Sequence, residues 1–238
     1  MIELRGQSAV VVGATSGMGR AIAKALRSEG MQVVAAGRRK DALAELESEA
    51  AVSTLACDVT SRTDVECLIE ESLRRLSKID LLVYASGTNI PERSMAELPA
   101  ETWDEMLAVN LTGAFNVTKA VLPSMRAAGG GHLVYISSIS AHWADAVSGA
   151  AYQAAKRGLS GLAHATRLEE RKHGLRACVL FPGLCDTAIL QKRPQPPGPD
   201  VLAHALRPED VADAVVAVAR LHPRVAVPEL EIVPARLQ

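Results

Sequence analysis

Ser8-Ala9-Val10-Val11-Val12-Gly13-Ala14-Thr15-Ser16-Gly17-Met18-Gly19-Arg20-Ala21 is the stretch that decides the fold. Its first five residues, with a valine triplet, read as a short buried strand. The segment Gly17–Glu29 that follows has helical character, and Gly30 ends it. Between strand and helix, three glycines stand at spacings of four and two. Gly13 permits a tight turn, and Gly17 lets the backbone approach a phosphate with no β-carbon in the way. Gly19 allows the helix to pack closely on its strand. The helix N-terminus offers free N–H groups and a partial positive charge at the same place. This order predicts a pyrophosphate-binding unit formed by Gly13, Thr15, Ser16, Gly17, Met18 and Gly19. The plain alternative is a glycine-rich turn with no ligand.

Outward from this unit, strands and helices alternate. Further strands are expected at Gln32–Gly37, Val52–Cys57, Asp80–Tyr84, His132–Ile136, Arg176–Phe181 and Glu229–Val233. Helices are expected at Lys40–Glu49, Arg62–Leu76, Thr102–Leu107, Leu111–Met125, Gly149–Lys172 and Pro208–Arg220. Such alternation predicts an α/β fold: a Rossmann-type doubly wound parallel sheet of about seven strands with helices on both faces. The 238 residues fit one domain over 1–238, with a nucleotide-binding half of about 1–90 and a catalytic and substrate half of about 91–238. The proline-rich Lys192–Pro199 reads as a loop, either a plain connection or a rim over a ligand site.

Composition excludes several classes. A formal net charge of −1 argues against a nucleic-acid partner or an anionic membrane surface. No run approaches the roughly 18 apolar residues of a membrane span. The opening Met1–Gly6 is too short and too charged to read as a secretory signal. Cys57, Cys67, Cys178 and Cys185 lack metal-type spacing, so no metal site is expected, and they fit reduced thiols in a cytoplasmic protein.

The second strand ends Ala35-Ala36-Gly37-Arg38-Arg39-Lys40. A dinucleotide site selective for NAD places an acid here for the ribose hydroxyl; one selective for NADP places arginine for the 2′-phosphate. Three basic residues and no acid predict NADP(H), with Arg38 the main contact and Arg39 secondary. The plain alternative is a solvated basic start to a helix. Asp58-Val59 follows the third strand as an adenine contact, or else as a turn in which Asp58, Thr60 or Ser61 caps the next helix.

Tyr152 and Lys156 lie four residues apart on an expected helix, so they share one face about 6 Å apart along the axis. A lysine ammonium beside a phenol favours the phenolate and lowers a pKa normally about 10. That would make the tyrosine a working acid/base, although the same spacing is common on solvated helices.

Together these residues resemble the classical short-chain dehydrogenase/reductase family from about Ser8 to Val233. The elements are Gly13-x-x-x-Gly17-x-Gly19, Asp58-Val59, Asn110, Ser138, Tyr152-x-x-x-Lys156 and Pro182-Gly183-x-x-x-Thr187. The resemblance implies an NADP(H)-dependent oxidoreductase that interconverts a carbonyl and a secondary alcohol. Tyr152 would pass the proton, and Lys156 would lower its pKa and hold the nicotinamide ribose. Ser138 would hydrogen-bond the reacting oxygen, with Ser137 and Ser140 as alternatives. Asn110 would hold a water that relays protons to Lys156, unless it simply caps a helix beginning near Leu111. Pro182, Gly183 and Thr187 would shape the nicotinamide pocket, and Ala85 and Gly87 would line the cofactor after the fourth strand. The resemblance also implies a homotetramer or homodimer and a small-molecule carbonyl or alcohol substrate.

Two positions depart from the family pattern. Val12 stands where threonine is usual, and Tyr84-Ala85-Ser86-Gly87 replaces Asn-Asn-Ala-Gly. Tyr84 cannot make the missing amide contacts, which puts local stability and cofactor affinity in question. The competing reading is a non-catalytic dinucleotide-binding sensor or structural protein on the same fold, which would not need Tyr152, Lys156 and Ser138 together. An epimerase of the extended architecture would need more chain after Pro182 than is present.

Overall fold

The computed structural model describes residues 1–236. Seven strands form one parallel sheet: β1 (Ser8–Val12), β2 (Gln32–Gly37), β3 (Ser53–Ala56), β4 (Leu81–Tyr84), β5 (Gly131–Ile136), β6 (Leu175–Pro182) and β7 (Glu229–Ile232). Their spatial order is β3-β2-β1-β4-β5-β6-β7. The order reverses between β1 and β4, which opens a crevice at the carboxyl ends of the strands.

Helices cover both faces, as buried parallel strands require. They are α1 (Gly17–Ser28), α2 (Lys40–Ala50), α3 (Arg62–Leu76), α4 (Ala100–Leu107), α5 (Gly113–Ala127), α6 (Ala150–Glu170), the short α7 (Pro199–Leu202) and α8 (Pro208–Ala219). The twofold period of β1 sorts its side chains cleanly. Val10 and Val12 enter the core shared with Val65, Val117 and Leu159 of α3, α5 and α6. Ala9 and Val11 enter the opposite core with Ile22 of α1 and Val215 of α8. No helix among the described residues is long and apolar enough to cross a membrane.

Several element boundaries differ from the sequence expectation. The strand expected at Val52–Cys57 shortens to four residues, because β3 is an edge strand that pairs with β2 alone. The expected break between Thr102–Leu107 and Leu111–Met125 is a π turn, Ala108–Thr112, that joins α4 to α5. Asn110 therefore does not cap a helix beginning at Leu111. The helix expected at Gly149–Lys172 ends at Glu170 and passes into a 3-10 turn, Arg171–His173, closed by Gly174. Gly158 on α6 packs against Leu111 of the π turn, so that part of the small-residue stripe serves contacts within the chain.

Tyr84 answers the question raised by the missing asparagines. Its side chain is fully buried, and its hydroxyl donates to the Val109 carbonyl at 2.5 Å. The phenol thus pins β4 to the π turn. Gly113 makes the room: a β-carbon there would stand 2.6 Å from the Tyr84 oxygen and from Val59 Cγ2.

Candidate active site

A cleft of about 490 Å³ lies at the crevice. The glycine turn forms one wall. Gly13 has φ +92°, and Gly19 packs so close that a β-carbon would stand 2.2 Å from the Gly13 carbonyl oxygen. This contact holds the start of α1 over the end of β1. Gly13, Thr15, Ser16, Gly17, Met18 and Gly19 all line the cleft.

At one end of the cleft are Arg38, Arg39, Asp58 and Val59. Arg39 donates from Nη2 to the Thr15 carbonyl at 2.8 Å, which closes the turn. No ion pair or hydrogen bond within the chain occupies Arg38 among the described contacts. Asp58 accepts from the Thr60 amide (2.9 Å) and hydroxyl (2.8 Å), while the Ser61 hydroxyl takes the capping position of α3. Burial pushes the Asp58 carboxyl up, but the Thr60 bonds and the Arg38 charge outweigh it, and the carboxyl lies below its ordinary value.

Ala85, Gly87, Tyr152, Lys156 and Thr187 line the other end. Lys156 is 4% exposed, and its Nζ donates to the Ile136 carbonyl at 2.9 Å. Nζ stands 5.6 Å from the centre of the Tyr152 ring. Burial lowers the Lys156 ammonium from 10.5 to about 8. Tyr152 differs from expectation: burial raises its hydroxyl above the ordinary value, and the Ser138 side chain and the Arg193 and Arg93 charges only partly oppose this. The part-buried phenol, which lines the cleft, favours its neutral form.

The three serines separate in the structure. The Ser137 hydroxyl donates to the Lys156 carbonyl at 3.1 Å, so it serves the backbone of α6. Ser140 is 1% exposed, and its hydroxyl meets that of Ser138 at 2.8 Å. Ser138 is half-buried, caps the 3-10 turn Ile139–Ala141, and of the three serines is the one whose side chain favours the charged form of the Tyr152 hydroxyl.

Four sequence-predicted residues do not line the cleft. Ser138 is half-buried beside Tyr152 and acts on its hydroxyl. Pro182 ends β6 in register with Ile232, and Gly183 packs against Val233 and Pro234. Asn110 is fully buried, and its amide is spent on the backbone. Oδ1 accepts from the Thr88 N–H (3.1 Å), while Nδ2 donates to the carbonyls of Thr88 (3.1 Å) and Met106 (2.9 Å). With both amide hydrogens committed, this side chain fixes the loop after β4. Conversely, Ser86, Thr88, Val109, Ile136, Ser137 and Lys192 line the cleft without having been singled out as cofactor contacts. Ile136 and Ser137 stand at the end of β5, and Ser86 and Thr88 in the loop after β4; for these, position at the carboxyl edge of the sheet was the available signal.

The Lys156 value sets a pH dependence. A buried lysine whose pKa falls to about 8 keeps its charge below that pH and loses it above. Tyr152, shifted upward, stays protonated across the neutral range. In the reductive direction, kcat/KM for the dinucleotide, which reports the free enzyme, is expected to be flat below about pH 7.5 and to fall above about pH 8. A rate profile flat to pH 10 would show that the Lys156 charge is not required.

Comparison with known proteins agrees with this geometry. Residues 7–197 match the family model for short chain dehydrogenases. An uncharacterized oxidoreductase of Staphylococcus haemolyticus is 32% identical over 238 residues, covering 98% of this chain and 100% of that protein. Among solved structures, a serine dehydrogenase in a closed form complexed with NADP⁺ superposes with a TM-score of 0.89 at 29% identity, covering 98% of this chain and 96% of that one. A metagenomic short-chain oxidoreductase in complex with NADP superposes with a TM-score of 0.83 at 30% identity, covering 97% of each chain. The glycine turn, the strand order and these likenesses over nearly the full length place the chain in the short-chain dehydrogenase family of oxidoreductases.

Proposed function

We propose that the protein is an NADP(H)-dependent oxidoreductase that interconverts a carbonyl and a secondary alcohol on a small molecule. The observation that carries this reading is a single cleft lined by the glycine turn, Arg38, Tyr152 and Lys156. The residues fit a dinucleotide. The tight Gly13–Gly19 contact clears the N-terminus of α1 for a pyrophosphate, and Arg38 is available for a phosphate at the ribose end. A β-carbon on Gly37 would stand 2.6 Å from Thr15 Cγ2, so an acid there would have to displace the Thr15 side chain. Both NADP-bound structures above come from proteins near 30% identical to this chain, which supports the same preference.

The bound nicotinamide supplies the hydride chemistry. Tyr152 gives its hydroxyl proton to the substrate oxygen in reduction and takes it back in oxidation. Ser138 donates to the same oxygen as charge develops on it. Lys156, anchored at the Ile136 carbonyl, holds a positive charge beside Tyr152 and would hold the nicotinamide ribose. Asn110 positions rather than touches: it locks Thr88, and so the loop that carries Ala85 and Gly87, against the π turn. A single domain with a homodimeric or homotetrameric assembly fits exposed Phe115 on α5 and Leu168 on α6.

Arg38→Ala tests the cofactor assignment. Hydrogen bonds to a charged group contribute about 1.5–3 kcal/mol. The ratio of kcat/KM for NADPH over NADH is therefore expected to fall about 10- to 150-fold in the variant. A wild-type preference for NADH, or a ratio unmoved by the substitution, would sink it.

A further inference from the structure

Arg93 lies in the irregular loop that follows β4, yet it is 5% exposed. Its stem packs against Gly149, the residue before α6: a β-carbon there would stand 2.6 Å from Arg93 Cβ. From this buried position the guanidinium reaches two other segments. Nη1 donates to the Val147 carbonyl at 3.1 Å, and Nη2 donates to the Lys192 carbonyl. Nε is buried and has no hydrogen-bond partner within the chain. Burying an arginine with one N–H unpaired costs stability, and an apolar side chain of similar length would avoid that cost. What the guanidinium supplies instead is a rigid fork between two backbone carbonyls.

The segment it holds, 187–193, forms one wall of the cleft, which Thr187, Ala188, Ile189 and Lys192 line. One end of that segment rests on the glycine turn, since a β-carbon on Gly17 would stand 3.2 Å from Thr187 Cγ2. Among the described hydrogen bonds, two tie 187–193 to segments distant in the sequence. One is the Arg93 bond to the Lys192 carbonyl, and the other runs from Lys192 Nζ to the Thr88 hydroxyl at 3.3 Å. Both lead to the loop after β4, whose own place Asn110 fixes through Thr88. The Val147 bond carries the same clamp to the turn that leads into α6 and Tyr152. Asn89 reinforces it, donating to the Ser148 carbonyl at 3.1 Å.

We propose that Arg93 is a positioning residue that latches segment 187–193 across the cleft, and that the latch slows release of the dinucleotide. The segment runs from the glycine turn to the loop after β4, so a dinucleotide seated on that turn leaves when the segment swings away. The latch is read from the geometry alone; its effect on the dinucleotide rests on the NADP(H) reading above.

The test begins with limited trypsin digestion of the full chain without cofactor, the fragments being identified by mass. The bond between Lys192 and Arg193 carries the carbonyl that Arg93 holds, so its cleavage rate reports how often the segment is free. Arg93→Met keeps an unbranched buried stem and removes both donors. Cleavage after Lys192 is expected to rise about tenfold or more, as the loss of hydrogen bonds from a charged donor implies. Cleavage after Lys172, in the turn beyond α6, is expected to stay at its wild-type rate. Thr88→Val removes the second tie and is expected to raise cleavage after Lys192 to a smaller extent. Displacement of NADPH by excess NADP⁺, followed by stopped-flow fluorescence, is expected to be about three- to tenfold faster in Arg93→Met. Arg93→Lys, which keeps one donor group, is expected to lie between, and it carries both measurements if Arg93→Met fails to fold. Wild-type cleavage after Lys192 in the Arg93 variants would overturn the latch. So would an equal rise after Lys172, the mark of general loosening. Faster cleavage with unchanged NADPH release would overturn the role in holding the dinucleotide. A wild-type protein that binds no NADPH would overturn the cofactor reading and that role with it, while the cleavage rates still decide the latch.

Discussion

Tyr152→Phe is expected to lower kcat by about 10²–10⁴-fold, the usual contribution of a positioned proton donor. NADPH affinity and thermal stability should stay close to wild type. The effect is large because no neighbour can take over the role. Lys156 Nζ is committed to the Ile136 carbonyl and stands 5.6 Å from the Tyr152 ring centre. The Ser138 hydroxyl is shared with Ser140. His142 stacks on Phe181 with ring centres 3.8 Å apart and meets Glu231 at 3.3 Å, so it is occupied on the side of β7. The fold should tolerate the change, because the hydroxyl is not part of a backbone contact. Steady-state kinetics beside a fluorescence titration with NADPH would separate the two effects. A variant retaining more than a tenth of wild-type kcat would remove Tyr152 from the proton path, and the non-catalytic reading would then gain ground.

Gly19→Ala is expected to abolish measurable NADPH binding and to destabilise the fold by about 3 kcal/mol or more, at or beyond the upper end of ordinary overpacking. The new methyl would stand 2.2 Å from the Gly13 oxygen and 2.8 Å from its carbonyl carbon. Both are backbone atoms of the strand-to-helix turn, so neither can swing aside as a side chain would. Relief requires α1 to move off β1, which breaks its packing against α8 and displaces the N–H groups at its start. Gly161→Ala is the control, since a β-carbon there meets nothing within 4 Å. Denaturation curves and NADPH titration on both variants would decide the matter; a Gly19→Ala protein with wild-type affinity would refute the steric account.

The sheet and its helices were largely legible because their signals are local. Valine-rich strands, the glycine turn and helix periodicity each depend on residues within a few positions of one another. The basic run after β2 was legible for a similar reason, since Gly37-Arg38-Arg39 is contiguous. The errors fell where distant segments decide the local geometry. The π turn at Ala108–Thr112 exists because Asn110 finds its partners at Thr88 and Met106, and because Tyr84 reaches the Val109 carbonyl from β4. Tyr84 read as a defect because its compensating partner, Gly113, lies 29 residues further along the sequence. The upward direction of the Tyr152 shift was not legible because spacing on a helix says nothing of how far the side chain is buried.

The sequence by itself determined the parallel α/β sheet, the dinucleotide turn, the basic residues at the ribose end and the tyrosine–lysine pair, all properties of neighbouring residues along one chain. Only the tertiary structure decided how the three serines separate, that Asn110 braces a loop, and that Arg93 is buried. Those outcomes depend on burial and on hydrogen-bond partners brought together from separate loops. Whether a polar group is paired, dry or bare is settled by three-dimensional neighbours, which spacing along the chain does not encode.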